Sequence, residues 1–309
     1  MKKIFFATVL LMIGGMFALT QQTAPTAGVP AHMIVTVEAM RGGETPVLHR
    51  EDVVVNQGKN RLQVTDWLPL RGDHAGLELF LLVDDSSSTQ FGMYLNELRQ
   101  FIGSLPATTA IGIGYMLNGT VNIAQNFTKD HALAAKALRL PMGIIGVNPS
   151  PYLSLSDLIK RWPASSERHE ILMLTSGVDR FGGSGPVNPY LDSAIEDAQR
   201  SETIVYSIYT PTIGHFGHSF FHINWGQQYL AELSEQTGGE AYYFLSSAPP
   251  VTFAPYLKDL GGRLGQQYLL TFLAKPEKKA SFQSVKLRTE VPDAELVGAT
   301  KVYVPAARQ

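Results

Sequence analysis

Leu77-Glu78-Leu79-Phe80-Leu81-Leu82-Val83-Asp84-Asp85-Ser86-Ser87-Ser88 is the stretch on which the reading of this sequence turns. Residues 77–83 are almost continuously apolar. A strand exposed on one face alternates apolar with polar residues, so a run without alternation predicts a strand covered on both faces. Asp84-Asp85 then ends the run, and three serines follow. Beyond them Phe91, Tyr94, Leu95, Leu98, Phe101, Ile102 and Leu105 recur at helical spacing and predict an amphipathic helix. The unit is therefore buried strand, polar loop, helix.

The alternation continues downstream. Ile111–Leu117 reads as the next strand, and Asn118-Gly119 is a hairpin signal behind which Val121–Phe127 returns antiparallel. Helical patterns at 130–139, 153–162, 190–200, 225–236 and 251–264 interleave with strands at Ile171–Leu174, Ile204–Tyr209 and Glu240–Leu245. Gly238-Gly239 stand where a helix stop favours glycine. Such alternation predicts an α/β fold, a doubly wound and mostly parallel six-stranded sheet with one antiparallel edge. Ligands of such sheets sit beyond the carboxyl ends of the strands, which is where Asp84–Ser88 falls.

The flanks read differently. Residues 1–20 begin Met1-Lys2-Lys3 and continue as a short apolar run, which predicts a secretory signal peptide ending near Ala18-Leu19-Thr20. The competing reading is an uncleaved N-terminal anchor, against which the run is short and holds Gly14-Gly15. Either way the rest is expected to be exported, periplasmic or secreted, without membrane insertion of the mature chain. Residues 21–30 read as a linker, 31–75 as an N-terminal β segment, 76–264 as the α/β unit and 265–309 as a C-terminal β segment. The last holds strands at Gln267–Ala274, Ser284–Glu290 and Thr300–Val304. The two β segments are expected to complete each other as one small sheet.

Composition bounds the function. The 309 residues are 45% hydrophobic and 17% charged, an ordinary globular balance with ample length for a large core. A formal charge of −2 supplies no field for nucleic acid, which is not expected as a partner. The absence of cysteine excludes disulfides, thiol catalysis and cysteine metal sites. No phosphate-binding glycine loop, nucleophile elbow, His-Glu-x-x-His or dinucleotide fingerprint is present, so an enzyme is not expected.

The pattern Asp84-x-Ser86-x-Ser88 has a chemical logic. A hard cation takes oxygen ligands, and hydroxyls at alternate positions of a turn reach a common point. A helix N-terminus alone repels a cation, so Asp84 and Asp85 are needed to offset the charge. The same residue types are also ordinary capping and turn formers. Strand, Asp-x-Ser-x-Ser loop and helix together resemble a von Willebrand factor type A domain over about residues 76–264, and that family's metal-ion-dependent adhesion site uses this loop. Ile204–Tyr209, Leu230–Tyr243 and Leu264–Leu270 resemble more narrowly the bacterial exported VWFA-related proteins abundant in acidobacteria.

The resemblance implies Asp84, Ser86 and Ser88 as metal ligands. It also implies a second-loop Thr, for which Ser150 before Pro151 stands here, and a third-loop Asp in a Thr-Asp-Gly setting. Here that setting is Thr175-Ser176-Gly177, so Ser176 replaces the acid and Asp179 or Asp85 is left to compensate. The implied cofactor is Mg²⁺, Mn²⁺ or Ca²⁺, weakened by the lost carboxylate. The implied partner is a protein whose acidic side chain takes the open coordination position, giving adhesion without bond-making. A metal-free scaffold with a degenerate site is the alternative.

Three further features stand apart. His215, His218 and His222 read as a surface loop with the composition of a zinc site, beside Phe216, Phe220, Phe221 and Trp225 as a partner-binding rim. Arg71-Gly72-Asp73 matches an integrin-recognition tripeptide and reads as chance. Asn118-Gly119-Thr120 and Asn126-Phe127-Thr128 fit the glycosylation pattern, which has meaning only in a eukaryotic secretory pathway.

Overall fold

The computed structural model describes residues 28–306 except 41, 144–147, 183–186, 213–218 and 243–247. The predicted signal peptide and most of the linker lie outside the described residues, as do His215 and His218. The chain first forms β1 (Val29–Ala39), β2 (Val53–Gln57) and β3 (Asn60–Pro69). It then enters β4 (Leu77–Asp84), α1 (Leu95–Ser104), β5 (Thr109–Leu117), β6 (Thr120–Thr128), α2 (His131–Lys136) and α3 (Pro151–Lys160). Next come β7 (Arg168–Thr175), α4 (Pro189–Arg200), β8 (Ile204–Tyr209), α5 (Phe220–Thr237), β9 (Ala241–Tyr242) and α6 (Ala254–Leu264). It closes with β10 (Gln267–Ala274), β11 (Ser281–Thr289), β12 (Ala294–Gly298) and β13 (Lys301–Val304).

Six strands form one sheet in the order β6-β5-β4-β7-β8-β9. β4 pairs in parallel with both β5 and β7, β8 is parallel to β7 and β9, and only β6 runs antiparallel. The unbroken apolar run of β4 now has its reason. Leu79, Leu81 and Val83 face a core with Leu98 and Ile102 of α1 and Leu257 and Leu260 of α6. Phe80 and Leu82 face a second core with Tyr152 and Leu155 of α3, Leu191 and Ile195 of α4, and Leu233 of α5. Each such side chain withdrawn from water contributes about 1.5–3 kcal/mol. The β5–β6 hairpin turns on Asn118 at φ 53° and Gly119 at φ 82°, a backbone that Asn-Gly adopts readily.

The other seven strands form an antiparallel sheet, β12-β1-β10-β3-β2-β11-β13. It draws strands from both chain ends, as expected, but it is not small, because β12 adds a strand that the sequence did not announce. Its core gathers Val35, Val37, Val55, Trp67, Leu270, Phe272 and Val304. Trp67 stacks on Tyr268 with ring centres 4.4 Å apart and donates its indole N–H to the Leu48 carbonyl at 3.1 Å.

Helix boundaries also differ from expectation: the helix expected over 130–139 is only His131–Lys136, and the last begins at Ala254 rather than 251. Thr89–Tyr94 is a 3-10 turn leading into α1. α5 begins at Phe220, before the expected 225, which puts His222 on a helix rather than in a loop. No helix among the described residues is long and apolar enough to cross a membrane.

Candidate functional site: the loops at the carboxyl edge

β4 delivers Asp84 to the carboxyl edge of the sheet with no exposure at all. Its Oδ1 accepts from the Ser86 backbone N–H at 2.9 Å and the Ser86 hydroxyl at 2.7 Å, and its Oδ2 accepts from Thr175 at 2.8 Å. Burial raises the Asp84 pKa, and the bonds from Ser86 and Thr175 oppose that rise. Ser86 also meets the β8 exit, since the Thr212 hydroxyl donates to its carbonyl at 3.2 Å. Ser87 lies 3.2 Å from the Thr210 hydroxyl. Ser88, half-buried, caps the 3-10 turn by accepting from Gln90 N–H at 3.2 Å.

The second and third loops close in. Ser150 occupies the N-cap position of α3, ahead of Pro151, yet its side chain makes no capping bond. It is 1% exposed, and its Oγ has no hydrogen-bond partner among the described residues. The Arg180 N–H donates to the Pro149 carbonyl at 2.8 Å, and the Tyr152 hydroxyl to the Gly177 carbonyl at 2.9 Å, tying the two loops together. Ser176 is buried, and its Oγ accepts from the Val178 N–H at 3.3 Å. Gly177, at φ +71°, sits against Gly226 of α5. A Cβ on Gly177 would lie 2.2 Å from the Gly226 carbonyl, so two glycines let this loop press onto the helix.

Neither carboxylate left to compensate for Ser176 is free to do so. Asp85 is held by both guanidinium nitrogens of Arg139 at 2.7 and 2.8 Å and also accepts from the Met142 N–H at 2.9 Å. Arg139 is itself fixed over the Tyr115 ring, 3.7 Å from its centre. Asp179 spends Oδ1 on the N–H groups of Phe181 and Gly182 at 2.8 and 3.1 Å, and Oδ2 on Asn188 at 3.2 Å. No group of three acidic or histidine side chains among the described residues could hold a metal. In chemical type, Asp84 with the hydroxyls of Ser86, Ser88 and Ser150 fits a hard cation. In charge the fit is poor, with one carboxylate unneutralised.

Sequence reasoning missed Arg139 and the hydroxyls of Thr175, Thr210 and Thr212. Arg139 carries no local signal, lying far along the chain from its partner. The threonines had one, since each follows a strand at its carboxyl end. Of the other motifs, Arg71 is pinned to Gln266 at 3.2 Å and the Tyr268 hydroxyl at 3.0 Å, so that tripeptide is a structural joint.

No family model matches the chain, and no curated protein matches it. Solved structures do. An aerotolerance-related membrane protein from Bacteroides fragilis is 11% identical, with a TM-score of 0.44, covering 61% of this chain and 98% of its own. The ArnB paralog VWA2 from Sulfolobus acidocaldarius is 8% identical, with a TM-score of 0.41, covering 90% and 76%. Proximal thread matrix protein 1 of the mussel byssus, with a zinc-occupied MIDAS motif, is 12% identical, with a TM-score of 0.43, covering 63% and 46%. The strand order, the single antiparallel edge and the helices on both faces give this chain a von Willebrand factor type A-like fold.

Proposed function

We propose that this is an exported binding module, not an enzyme, which takes a protein partner on the loops at the carboxyl edge of its six-stranded sheet. A weakly held divalent cation is part of that face. The observation that supports it is Ser150, whose buried Oγ has no partner among the described residues, on a loop tied to the one whose Thr175 bonds Asp84. A buried hydroxyl without a protein partner is uncommon and is open to an ion or a water. Asp84, Ser86, Ser88 and Ser150 would hold the ion, which would supply a positive centre for an acidic side chain of the partner.

The charge balance sets the strength. With Asp85 neutralised by Arg139 and Ser176 in place of an acid, one carboxylate faces a divalent ion, and affinity at such sites follows charge count. Calorimetry with Mg²⁺ and Mn²⁺ is the test. Weak binding is expected in the wild type and none in Ser86→Ala/Ser88→Ala. Ser176→Asp is expected to strengthen binding at least about tenfold, or about 1.4 kcal/mol. The Asp85–Arg139 pair favours a second reading, a metal-free scaffold that binds by shape. Binding only after Ser176→Asp, with none in the wild type, would support that one.

A further inference from the structure

A cavity of about 200 Å³ lies where the two sheets meet, far from the carboxyl-edge loops. One wall is β1 from Pro30 to Ile34, and another is the end of α4 with the turn into β8. The third is Ala299, Lys301, Val302 and Tyr303, at the entry to β13 and along it. Clefts between packed units are common places for small ligands, and this one is smaller than the roughly 300–1,000 Å³ that drug-sized molecules fill.

Its chemistry is specific. The apolar lining comes from Ala31, Met33, Ile34, Ala198, Ile204 and Val302. Four charged or titratable side chains face it: His32, Arg200, Glu202 and Lys301. Glu202 is taken by His32, Nε2 to Oε1 at 3.0 Å. Arg200 and Lys301 have no carboxylate partner among the described residues. Arg200 is nevertheless held in place, its guanidinium 4.8 Å from the Phe282 ring centre and 4.3 Å from that of Tyr303. The rim thus carries an excess of positive charge whether or not His32 is protonated.

A second observation is independent of the charges. Gln199 lines the same cavity and is 4% exposed. Its Nε2 donates to the Gln236 carbonyl at 2.8 Å, but its Oε1 is buried with no partner among the described residues. A buried amide oxygen without a donor is uncommon in a folded protein.

We propose that this cavity is a binding site for a small organic anion with an apolar body and one hydroxyl or amide N–H. The anion pairs with Arg200 and Lys301, the body fills the apolar lining, and the donor satisfies Gln199 Oε1. A guanidinium already immobilised on two rings loses little freedom on pairing, which favours a charge-assisted bond.

Mandelate has all three features and is the probe. Mandelamide keeps its shape without the charge, and phenylacetate keeps the charge without the hydroxyl. With methyl-labelled full-length protein, mandelate at about 10 mM, the range of a weak small-ligand Kd, is expected to shift the methyl resonances of Met33, Ile204 and Val302. Mandelamide and the Arg200→Gln and Lys301→Gln variants are each expected to bind about tenfold more weakly, the scale of one lost charge-assisted bond. Phenylacetate is expected to bind more weakly than mandelate in the wild type and equally in Gln199→Met. Lys301 is at the rim, so that variant keeps the test valid if Arg200→Gln fails to fold. The proposal is overturned if mandelate leaves those methyl groups unmoved, moves others instead, or binds no better than mandelamide.

Discussion

Asp84 and Glu170 lie toward opposite ends of neighbouring strands, β4 and β7, and both are fully shut off from solvent. Three donors, all within 2.9 Å, meet Asp84. Glu170 sits near the seam with the antiparallel sheet. Its closest cation is Arg168, with Nε 3.8 Å from Oε1, and neither carboxylate oxygen has a partner in good hydrogen-bond geometry among the described residues. Arg168 instead donates to Gln267 at 2.7 Å, and Gln267 to the Tyr206 hydroxyl at 3.1 Å. Burial pushes Glu170 up to about 7, and Arg168, with lesser help from nearby Gln267 and Tyr206, only partly opposes it. The contrast teaches that burial alone does not mark a working carboxylate. Burial raises the pKa of both acids; close donors from Ser86 and Thr175 oppose that rise at Asp84, whereas the nearest cation to Glu170 stands 3.8 Å away.

Removing the wrapped acid is expected to have the largest effect. Asp84→Ala leaves three donors without an acceptor and should cost about 4 kcal/mol in urea unfolding, since each buried orphan costs about 1–3 kcal/mol. A loss under about 1 kcal/mol would show that the loop does not depend on the carboxylate.

Glu170 should behave in the opposite sense. Its folded pKa lies above the ordinary 4.5, so the native state holds the extra proton. Stability therefore falls as pH rises from about 4.5 to about 7 and levels off beyond. Glu170→Gln removes that slope and should be the more stable protein at pH 8, by up to about 3 kcal/mol, and equal near pH 4.5. Parallel pH–stability curves for the two proteins would contradict this.

Arg139→Gln comes next. It strands the Asp85 carboxylate, which is 1% exposed, and should cost about 2 kcal/mol, less than a fully enclosed pair because Arg139 reaches solvent. Asp85→Asn in the same chain should recover most of it. In calorimetry, Arg139→Gln should also tighten divalent binding if Asp85 is then free to serve the cation.

The smallest effect is expected at Glu202, a non-glycine residue at φ 55° paired with His32. Glu202→Gly relieves the left-handed backbone and loses the pair, two effects of about 1 kcal/mol or less that offset. The hydrogen bond to Glu202 raises the His32 pKa. The pair therefore contributes below the ordinary histidine pKa and is lost as pH rises through the raised one, so the two proteins should match on the acid side and Glu202→Gly should be the slightly more stable on the alkaline side.

Much of the fold was legible in the sequence. The unbroken run of β4, the Asn118-Gly119 turn and the strand–helix alternation depend on local periodicity, which a sequence carries openly. β12 was not legible, because five residues with a glutamate and a glycine make no pattern until β1 lies beside them. The first turn of α5 was missed because Phe220 and Phe221 point to solvent and break the apolar stripe that Ile223 begins. In the site, Asp84, Ser86 and Ser150 were found by their places after a strand or before a helix. The neutralising of Asp85 by Arg139 and the orphan Oε1 of Gln199 depend on groups far apart in sequence, and no spacing rule reaches them.

The chain leaves the antiparallel sheet at β3 and returns to it at β10, and these two strands are bonded neighbours, with Pro69 opposite Tyr268. The whole α/β unit thus hangs from the outer sheet as a closed loop whose two stems are stitched together. A pull on the chain ends would be borne by the seams of β1, β10 and β3 before it reached β4.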